Sequence, residues 1–400
     1  MRRFKCSRLE RNLKEILEAL PAFDLEAVAR ENGYRLRRRK LSLTQQVATW
    51  VTSIWGGSDD SLATLATRNA LDGESAWTEQ ALSKADCQRP AELFECLFAY
   101  LVEKASRPLR RRVRGLEINL LDGSTIKGLA PSVARFFHLV SNGGEVIARA
   151  KVHVLYDPAK GPRRVKITDA NNRDLQHTDF IFEAIGRNTL LVFDLGYWKF
   201  AFLDAIEDRK AFFVTRVASR NRPLLLKSHR RTRTLRDYEA RLDRYASCPK
   251  KHRVRVIEQR QSDGSWWRWC TNLRDVKRFP AESIIELYAR RWEIEVFFRH
   301  LKHVFHLKRV RSKNENAVRV EIYLAFIAFL LAHWLMAETA RRYPLEARRQ
   351  YCLVRLTRLL YALLEKRDWP VAELYELIAT HCTIVLSKNR QKYKQKRQIA

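Results

Sequence analysis

Residues Thr189–Tyr197 read TLLVFDLGY. Thr189–Phe193 is a short, nearly continuous apolar run, the pattern of a central strand buried on both faces. It delivers Asp194 directly into Leu195-Gly196-Tyr197. Upstream, Glu117–Leu121 (EINLL) is strand-like and runs straight into Asp122-Gly123-Ser124. Between these two, Arg135–Leu139 and Ala148–Tyr156 (ARAKVHVLY) predict further strands, and Asp179–Ile185 a helix. Downstream, Trp198–Glu207 predicts a helix and Ala211–Val217 a strand. Hairpin strands followed by helix, strand, helix and strand predict an α+β or mixed α/β fold, a mixed sheet flanked by helices.

Residues 218–275 interrupt this alternation as a β-rich insertion. Lys227–Arg241 is strongly basic. Val254–Gln259 and Ser265–Cys270, joined by Ser262-Asp263-Gly264, predict a β-hairpin. Trp266, Trp267 and Trp269 crowd its second strand. They read either as ordinary packing or as a stacking surface for an unpaired base.

Tyr288–Lys308 (YARRWEIEVFFRHLKHVFHLK) lacks Gly and Pro and predicts one helix. On a helical wheel, Tyr288, Arg291, Glu295 and Lys302 fall within an arc of about 60°. Leu287, Ile294, Phe297, Phe298, Leu301 and Phe305 form a neighbouring apolar arc. The charged arc reads either as a solvated face or as a site. His300, His303 and His306 recur every third residue, but spread over roughly 120° of the wheel, which argues against a zinc site.

The flanks are helical. Leu13, Ile16, Leu17 and Leu20 repeat at helical spacing, and Arg35–Lys40 is a dense basic run. Leu41–Ile54, Ser61–Arg68, Trp77–Lys84 and Ala91–Ala105 predict helices. The middle pair, across Asp72-Gly73, reads as a helix-turn-helix or as plain helical packing. Val318–Arg342, Leu353–Leu364 and Val371–Leu386 predict helices before a basic tail. The chain thus divides into a helical N-terminal region (1–112), a central α/β region (113–343) and a helical C-terminal region (344–400).

Lys and Arg total 76 against 45 for Asp and Glu, a formal charge of +31 over 400 residues. Basic charge spread over such a length suits a phosphate track, so nucleic acid is the expected partner. Seven scattered cysteines contain no CxxC pair. With no targeting pattern in view, they fit a reducing cytosol, free thiols that are mostly buried, and no zinc ribbon. The apolar run Ile322–Ala332 is too short to span a bilayer and reads as a core helix.

Asp122 and Asp194 follow apolar strands, and Glu295 sits on a helix beside cations. Gathering carboxylates is costly because like charges repel, and a divalent cation between them removes that cost. Mg²⁺ suits such oxygen ligands, and paired ions suit phosphodiester chemistry. Asp157, Asp169, Asp174 and Asp204 read instead as turn, cap or surface residues.

LLDGSTIKG at Asp122, LLVFDLGYW at Asp194 and Tyr288-x2-Arg291-x3-Glu295-x6-Lys302 together resemble the insertion sequence 4 family of DDE transposases. The last matches the family's Y-R-E-K signature at every position and spacing. The resemblance covers roughly Leu116–Tyr343 and implies an RNase H-like catalytic domain. It implies Asp122, Asp194 and Glu295 as catalytic ligands of Mg²⁺, with Mn²⁺ able to substitute. It implies Tyr288, Arg291 and Lys302 as DNA contacts. Trp266, Trp267 or Trp269 is then a candidate for accepting a flipped base. The implied activity is cleavage at terminal inverted repeats and transfer of 3′ ends into target DNA by a homodimer, in the bacterial cytosol or nucleoid, with no membrane. Two alternatives stay open: an RNase H-like nuclease without strand transfer, and a catalytically dead DNA-binding derivative.

Overall fold

The computed structural model describes residues 24–35, 41–57, 61–71, 77–106, 112–141, 144–171, 174–218, 221–242, 252–308, 310–346, 348–365 and 373–386. The chain divides into two compact units. One comprises residues 109–125 and 151–297, the other 1–108, 126–150 and 298–392.

The first unit is built on a nine-stranded sheet. Its strands are β1 (Glu117–Ile126), β4 (Ala150–Asp157), β5 (Gly161–Asp169), β6 (Thr189–Phe193), β7 (Phe212–Arg216), β8 (Leu224–Arg231), β9 (Leu235–Arg241), β10 (Val254–Arg260) and β11 (Trp266–Thr271). Their order is β5-β4-β1-β6-β7-β11-β10-β9-β8. β1, β6 and β7 pair in parallel. Every residue of β6 is buried, as the apolar run at 189–193 predicts. Between β6 and β7 lies the helix Phe200–Asp208. Its Phe202, Leu203 and Ile206 pack with Leu121, Leu191, Phe193 and Phe213 in one core.

The expected hairpin is present, with Ile257 opposite Trp269. It is not a separate appendage, because β11 pairs antiparallel with β7, so the insertion continues the central sheet. Lys227–Arg241 supplies much of β8 and β9, which its composition conceals. Edge strand β8 is exposed along most of its length and shows no alternation. In β9 the buried Asp237 answers the fully buried Arg255 of β10, with Nη2···Oδ2 2.6 Å and Nε···Oδ1 2.8 Å. Arg255 Nη1 also donates to the carbonyls of Leu273 and Phe279. A charge paired on both sides breaks the apolar alternation that marks a strand. At the opposite edge, β5 holds Pro162, which an edge strand tolerates.

The stretch 288–308 is not one helix. It splits into Ala281–Ala289 and Trp292–His303. At the junction Arg291 N–H donates to Tyr288 O (2.9 Å) and Glu293 N–H to Arg290 O (2.8 Å). These are the shorter-range bonds of a tightened turn, which needs neither Gly nor Pro. The second helix ends with His306 at φ 55° and a bond from Leu307 N–H to Leu301 O, a left-handed cap. All six residues of the expected apolar arc are buried.

The second unit is mostly helical, with the small hairpin of β2 (His138–Val140) and β3 (Val146–Ala148) and an antiparallel pair of β12 (Arg349–Tyr351) and β13 (Thr383–Val385). Its helices include Leu25–Glu31, Leu43–Gly56, Leu62–Leu71, Glu79–Gln88, Ala91–Ser106, Leu353–Glu365 and Leu374–His381. They gather about Glu315–Arg342, capped by Asn314 on Ala317 N–H. That helix alone among the described residues is long and apolar enough to cross a membrane, and its apolar stretch is mostly buried. Trp55 Nε1 donates to its Ala328 carbonyl. Both helices of the expected helix-turn-helix form, while residues 72–76 between them lie outside the described residues, as do 1–23, most of Arg35–Lys40, and the tail. Cys87, Cys96, Cys270, Cys352 and Cys382 form no disulfide, and of these five only Cys270 and Cys382 are buried.

Removing one partner of a buried, forked ion pair strands the other charge. Asp237→Ala is therefore expected to lower unfolding stability by about 3–5 kcal/mol. Denaturant unfolding checks this, and a loss below about 1 kcal/mol, the worth of a surface pair, would show that the pair is not buried in solution.

Candidate active site

The parallel register sets Leu121 beside Phe193. The next residue of each strand is a carboxylate, so Asp122 and Asp194 continue from that register as neighbours. Each is fixed by the backbone just after it. Asp122 Oδ1 accepts from Gly123 N–H, and Asp194 Oδ1 from Gly196 N–H, both at 2.8 Å. Burial, then the charge of Asp194, pushes the Asp122 pKa up to about 7, against the opposing pull of Gly123 N–H and Arg291. An acid held this far up is the mark of like charges forced together out of water.

Arg291, in the turn between the two helices, reaches from Glu295 toward Asp122. Its Nη2 lies 2.6 Å from Glu295 Oε1 and its Nη1 4.0 Å from Asp122 Oδ2. Its guanidinium stands 5.8 Å from the Tyr288 ring centroid. Burial raises the Tyr288 phenol, against the pull of Arg291 and Arg216. Tyr288, Arg291, Glu295, Asp122 and Asp194 are thus brought together in the sheet unit. Lys302 is seven residues beyond Glu295 on the same helix and belongs to the helical unit.

The three tryptophans separate. Trp267 and Trp269 share one face of β11, with ring centroids 6.1 Å apart. Trp269 is buried and meets Tyr288 edge-on at 6.4 Å. Trp267 is 44% exposed, with the Arg216 guanidinium 4.6 Å from its centroid. Trp266 points to the other face, under Arg236 at 4.2 Å.

Asp174 corrects the reading made from sequence. It opens a short 3-10 turn, but its carboxylate lies beside the Asp122–Asp194 pair and contributes to the rise at Asp122. Oδ1 is 2.7 Å from Lys151 Nζ and 3.2 Å from His153 Nδ1. Burial works against this carboxylate, but the hydrogen bonds from His153 and Lys151 outweigh it and hold its pKa below the usual range. His153 is fully buried, with Nε2 3.1 Å from Thr168 Oγ1 and Nδ1 3.3 Å from Tyr197 Oη. Thr168 Oγ1 in turn donates to the carbonyl of Asp169 (2.9 Å). A readable signal existed: Lys151 and His153 stand two apart in an apolar strand, hence on one face. Asp157 and Asp169 do serve turns, accepting from Ala159 and Asn171 N–H. Asp204 is buried within its helix rather than on a surface.

Among the described residues, no three His, Cys, Asp or Glu side chains form a ready-made metal cage. The three histidines after Glu295 make none either. The oxygen donors nevertheless fit a hard divalent cation. Asp122 and Asp194 are apposed and under-neutralised, and Glu295 has only to exchange its Arg291 partner.

Residues 114–331, more than half of the chain, match the family model described as the transposase DDE domain. The chain belongs to the DDE transposases. A candidate transposase of Sinorhizobium fredii is 32% identical over 262 residues, 63% of this transposase and 70% of the relative. A candidate transposase for an insertion sequence element of Geobacillus stearothermophilus is 26% identical over 333 residues, 80% and 83% of the two chains. The transposase InsG for insertion sequence element IS4 of Escherichia coli is 25% identical over 177 residues, 42% and 40%. The transposase is therefore of the IS4 type, with the mixed α/β fold expected of its catalytic domain. It is an enzyme that acts on DNA and depends on a divalent cation.

A cation held by Asp122 would compete there with a proton. Because its folded pKa is raised, ionising it costs stability as pH climbs from the ordinary carboxylate range through about 7. A bound cation offsets that cost. The Mn²⁺ dissociation constant of the transposase is thus expected to rise roughly tenfold per pH unit as pH falls from about 7 toward about 5. Asp194→Asn, which removes the neighbouring charge, should move that dependence to lower pH. Calorimetric titration in pH steps checks both, and a flat profile across this range would contradict the raised acid.

Proposed function

We propose that the transposase holds Mg²⁺, or Mn²⁺ in its place, with Asp122, Asp194 and Glu295, and cuts DNA at the terminal inverted repeats of its element. It then joins the freed 3′ ends to target DNA, two copies pairing two ends. The observation that carries this reading is the β1–β6 register, which places two carboxylates side by side with Arg291 and Glu295 at hand.

The bound cation supplies Lewis acidity at the scissile phosphate. The residues divide the remaining work. Asp122 and Asp194 sit on buried strands and fix the position of the centre. Glu295 gives up Arg291 to join them, which frees the guanidinium. Arg291 then takes two phosphate oxygens in its planar fork, and Lys302 serves as a point charge on the same backbone. Tyr288, braced by Trp269, contributes a phenol at the DNA edge of the site. In the first step water adds to phosphorus, and the 3′ oxygen leaves with its bonding pair and takes up a proton. In the second, that hydroxyl attacks a target phosphodiester and a target 3′ oxygen leaves. Exposed Trp267, with Arg216 beneath it, is the member of the tryptophan set best placed to stack on an unpaired base.

Residues 1–112 serve as the DNA-binding region, 113–343 as the RNase H-like catalytic region with its insertion at 218–275, and 344–400 as a basic helical region. The work belongs to the bacterial cytosol and nucleoid, with no membrane.

The full chain is incubated with linear DNA carrying the inverted repeats that flank its gene, with Mg²⁺ or with EDTA. Cleavage at the repeat boundary is expected only with Mg²⁺. Glu295→Gln and Asp194→Asn should lower its rate by roughly a hundredfold or more. Binding in a gel-shift assay should stay within about twofold. Undiminished cleavage by Glu295→Gln would overturn the assignment. Cut ends that never join a plasmid would favour a nuclease, and binding without any cleavage a catalytically dead derivative.

A further inference from the structure

Asp174 is placed by more than its salt bridge. Its Oδ1 is engaged by Lys151 and by the buried His153, which is itself anchored through Nε2 on Thr168. A brace between strand β4 and the 3-10 turn Asp174–Gln176 needs nothing further. Yet both of its oxygens are packed against the two turns that carry the catalytic pair. A methyl group added at Gly123 would stand 2.8 Å from Asp174 Oδ1 and 3.0 Å from Lys151 Cε. One added at Gly196 would stand 3.0 Å from Asp174 Oδ2 and equally 3.0 Å from Asp194 Oδ1. Neither glycine has a positive φ. Their lack of a side chain is explained by room, not by backbone conformation. The glycine one residue after Asp122 and the glycine two residues after Asp194 both make way for a carboxylate distant in sequence.

A third carboxylate packed beside two others adds like charge that something must offset. Lys151 offsets part of that charge, but it meets Oδ1. Oδ2 faces the turn of Asp194.

We propose that Asp174 is a fourth carboxylate of the catalytic centre, its Oδ1 fixed by Lys151 and His153 and its Oδ2 presented together with Asp194 to the divalent cation's coordination sphere. This rests on the assignment of Asp122 and Asp194 as cation ligands. Lys151 and His153 are then positioning residues. They hold the carboxylate ionised and fix which oxygen faces the centre. Gly196 is the residue whose smallness lets Asp174 and Asp194 share one approach.

The test is Mn²⁺ binding to the full chain without DNA, read from the paramagnetic resonance signal of free Mn²⁺. Asp174→Asn preserves shape and removes the charge. It is expected to weaken binding by roughly tenfold to a hundredfold. Gly196→Ala, which removes no carboxylate, is expected to weaken it as well, and so covers the case in which Asp174→Asn fails to fold. Lys151→Met leaves the carboxylate in place but frees its Oδ1, and is expected to weaken Mn²⁺ binding by only about twofold to fivefold, less than Asp174→Asn does. A structural brace predicts otherwise: Asp174→Asn and Lys151→Met would then lower the melting temperature alike and affect Mn²⁺ alike, which would overturn the proposal. Asp122→Asn separates the two levels. If it weakens Mn²⁺ binding and Asp174→Asn does not, the fourth carboxylate is refuted and the Asp122–Asp194 site stands. If it leaves binding unchanged, the site itself is refuted, and Asp174 with it.

Discussion

Two carboxylates that repel one another are held side by side because the strands that carry them have no other register. β6 is buried on both faces, and β1 is buried from Ile118 to Leu121. Slipping the pairing by one residue would turn these apolar side chains out of their core positions. Hydrophobic burial therefore enforces the repulsion between Asp122 and Asp194. Desolvation, with that repulsion second, raises the Asp122 pKa to about 7, so the pair attracts positive charge. Within the folded chain the demand is met in part by Arg291. Its Nη2 lies on Glu295 and its Nη1 nearer Asp122 than any other cation's nitrogen among the described ion pairs. In the proposed centre a divalent cation and a phosphate would displace contacts the protein already makes to itself.

The same sheet ties the insertion to the chemistry. β9, β10 and β11 extend the central strands, and Tyr238, Ala240, Val254, Val256 and Cys270 join the core of Phe193 and Phe213. The insertion cannot swing freely while those residues stay buried. Its rigidity is reinforced by Arg255, whose guanidinium meets Asp237 and two carbonyls. This rigid hairpin supplies Trp269, which meets Tyr288 edge-on, so the insertion buttresses the first residue of the Y-R-E-K signature. Trp267, two residues away on the same face, keeps its ring open to solvent above Arg216.

Much of this was legible from residues alone. The apolar run at 189–193, the strand ending on Asp122, the hairpin around Gly264 and most helices follow from local patterns, because each is fixed by side chains a few positions apart. The Y-R-E-K spacing marked Tyr288, Arg291 and Glu295 for the same reason: they lie within two turns of one another. Three features were not legible. Edge strand β8 lacks the alternation that a buried face imposes, and β5 opens on Gly161-Pro162, a turn signal in front of a half-buried strand. β9 conceals its alternation because a charged pair, Asp237 with Arg255, occupies core positions. The break at Arg290–Arg291 carries no Gly or Pro.

Local patterns in the chain are enough to single out Asp122 and Asp194 at strand ends and Glu295 on a helix. Which carboxylates meet depends on how distant segments pack. Asp194 was singled out because a buried strand delivers it. Asp174 looked like a turn residue because its partners, Lys151 and His153, lie more than twenty positions away on β4. Its relation to Gly123 and Gly196 is one of space, and a glycine required for room leaves the same letter in the chain as one required for a turn.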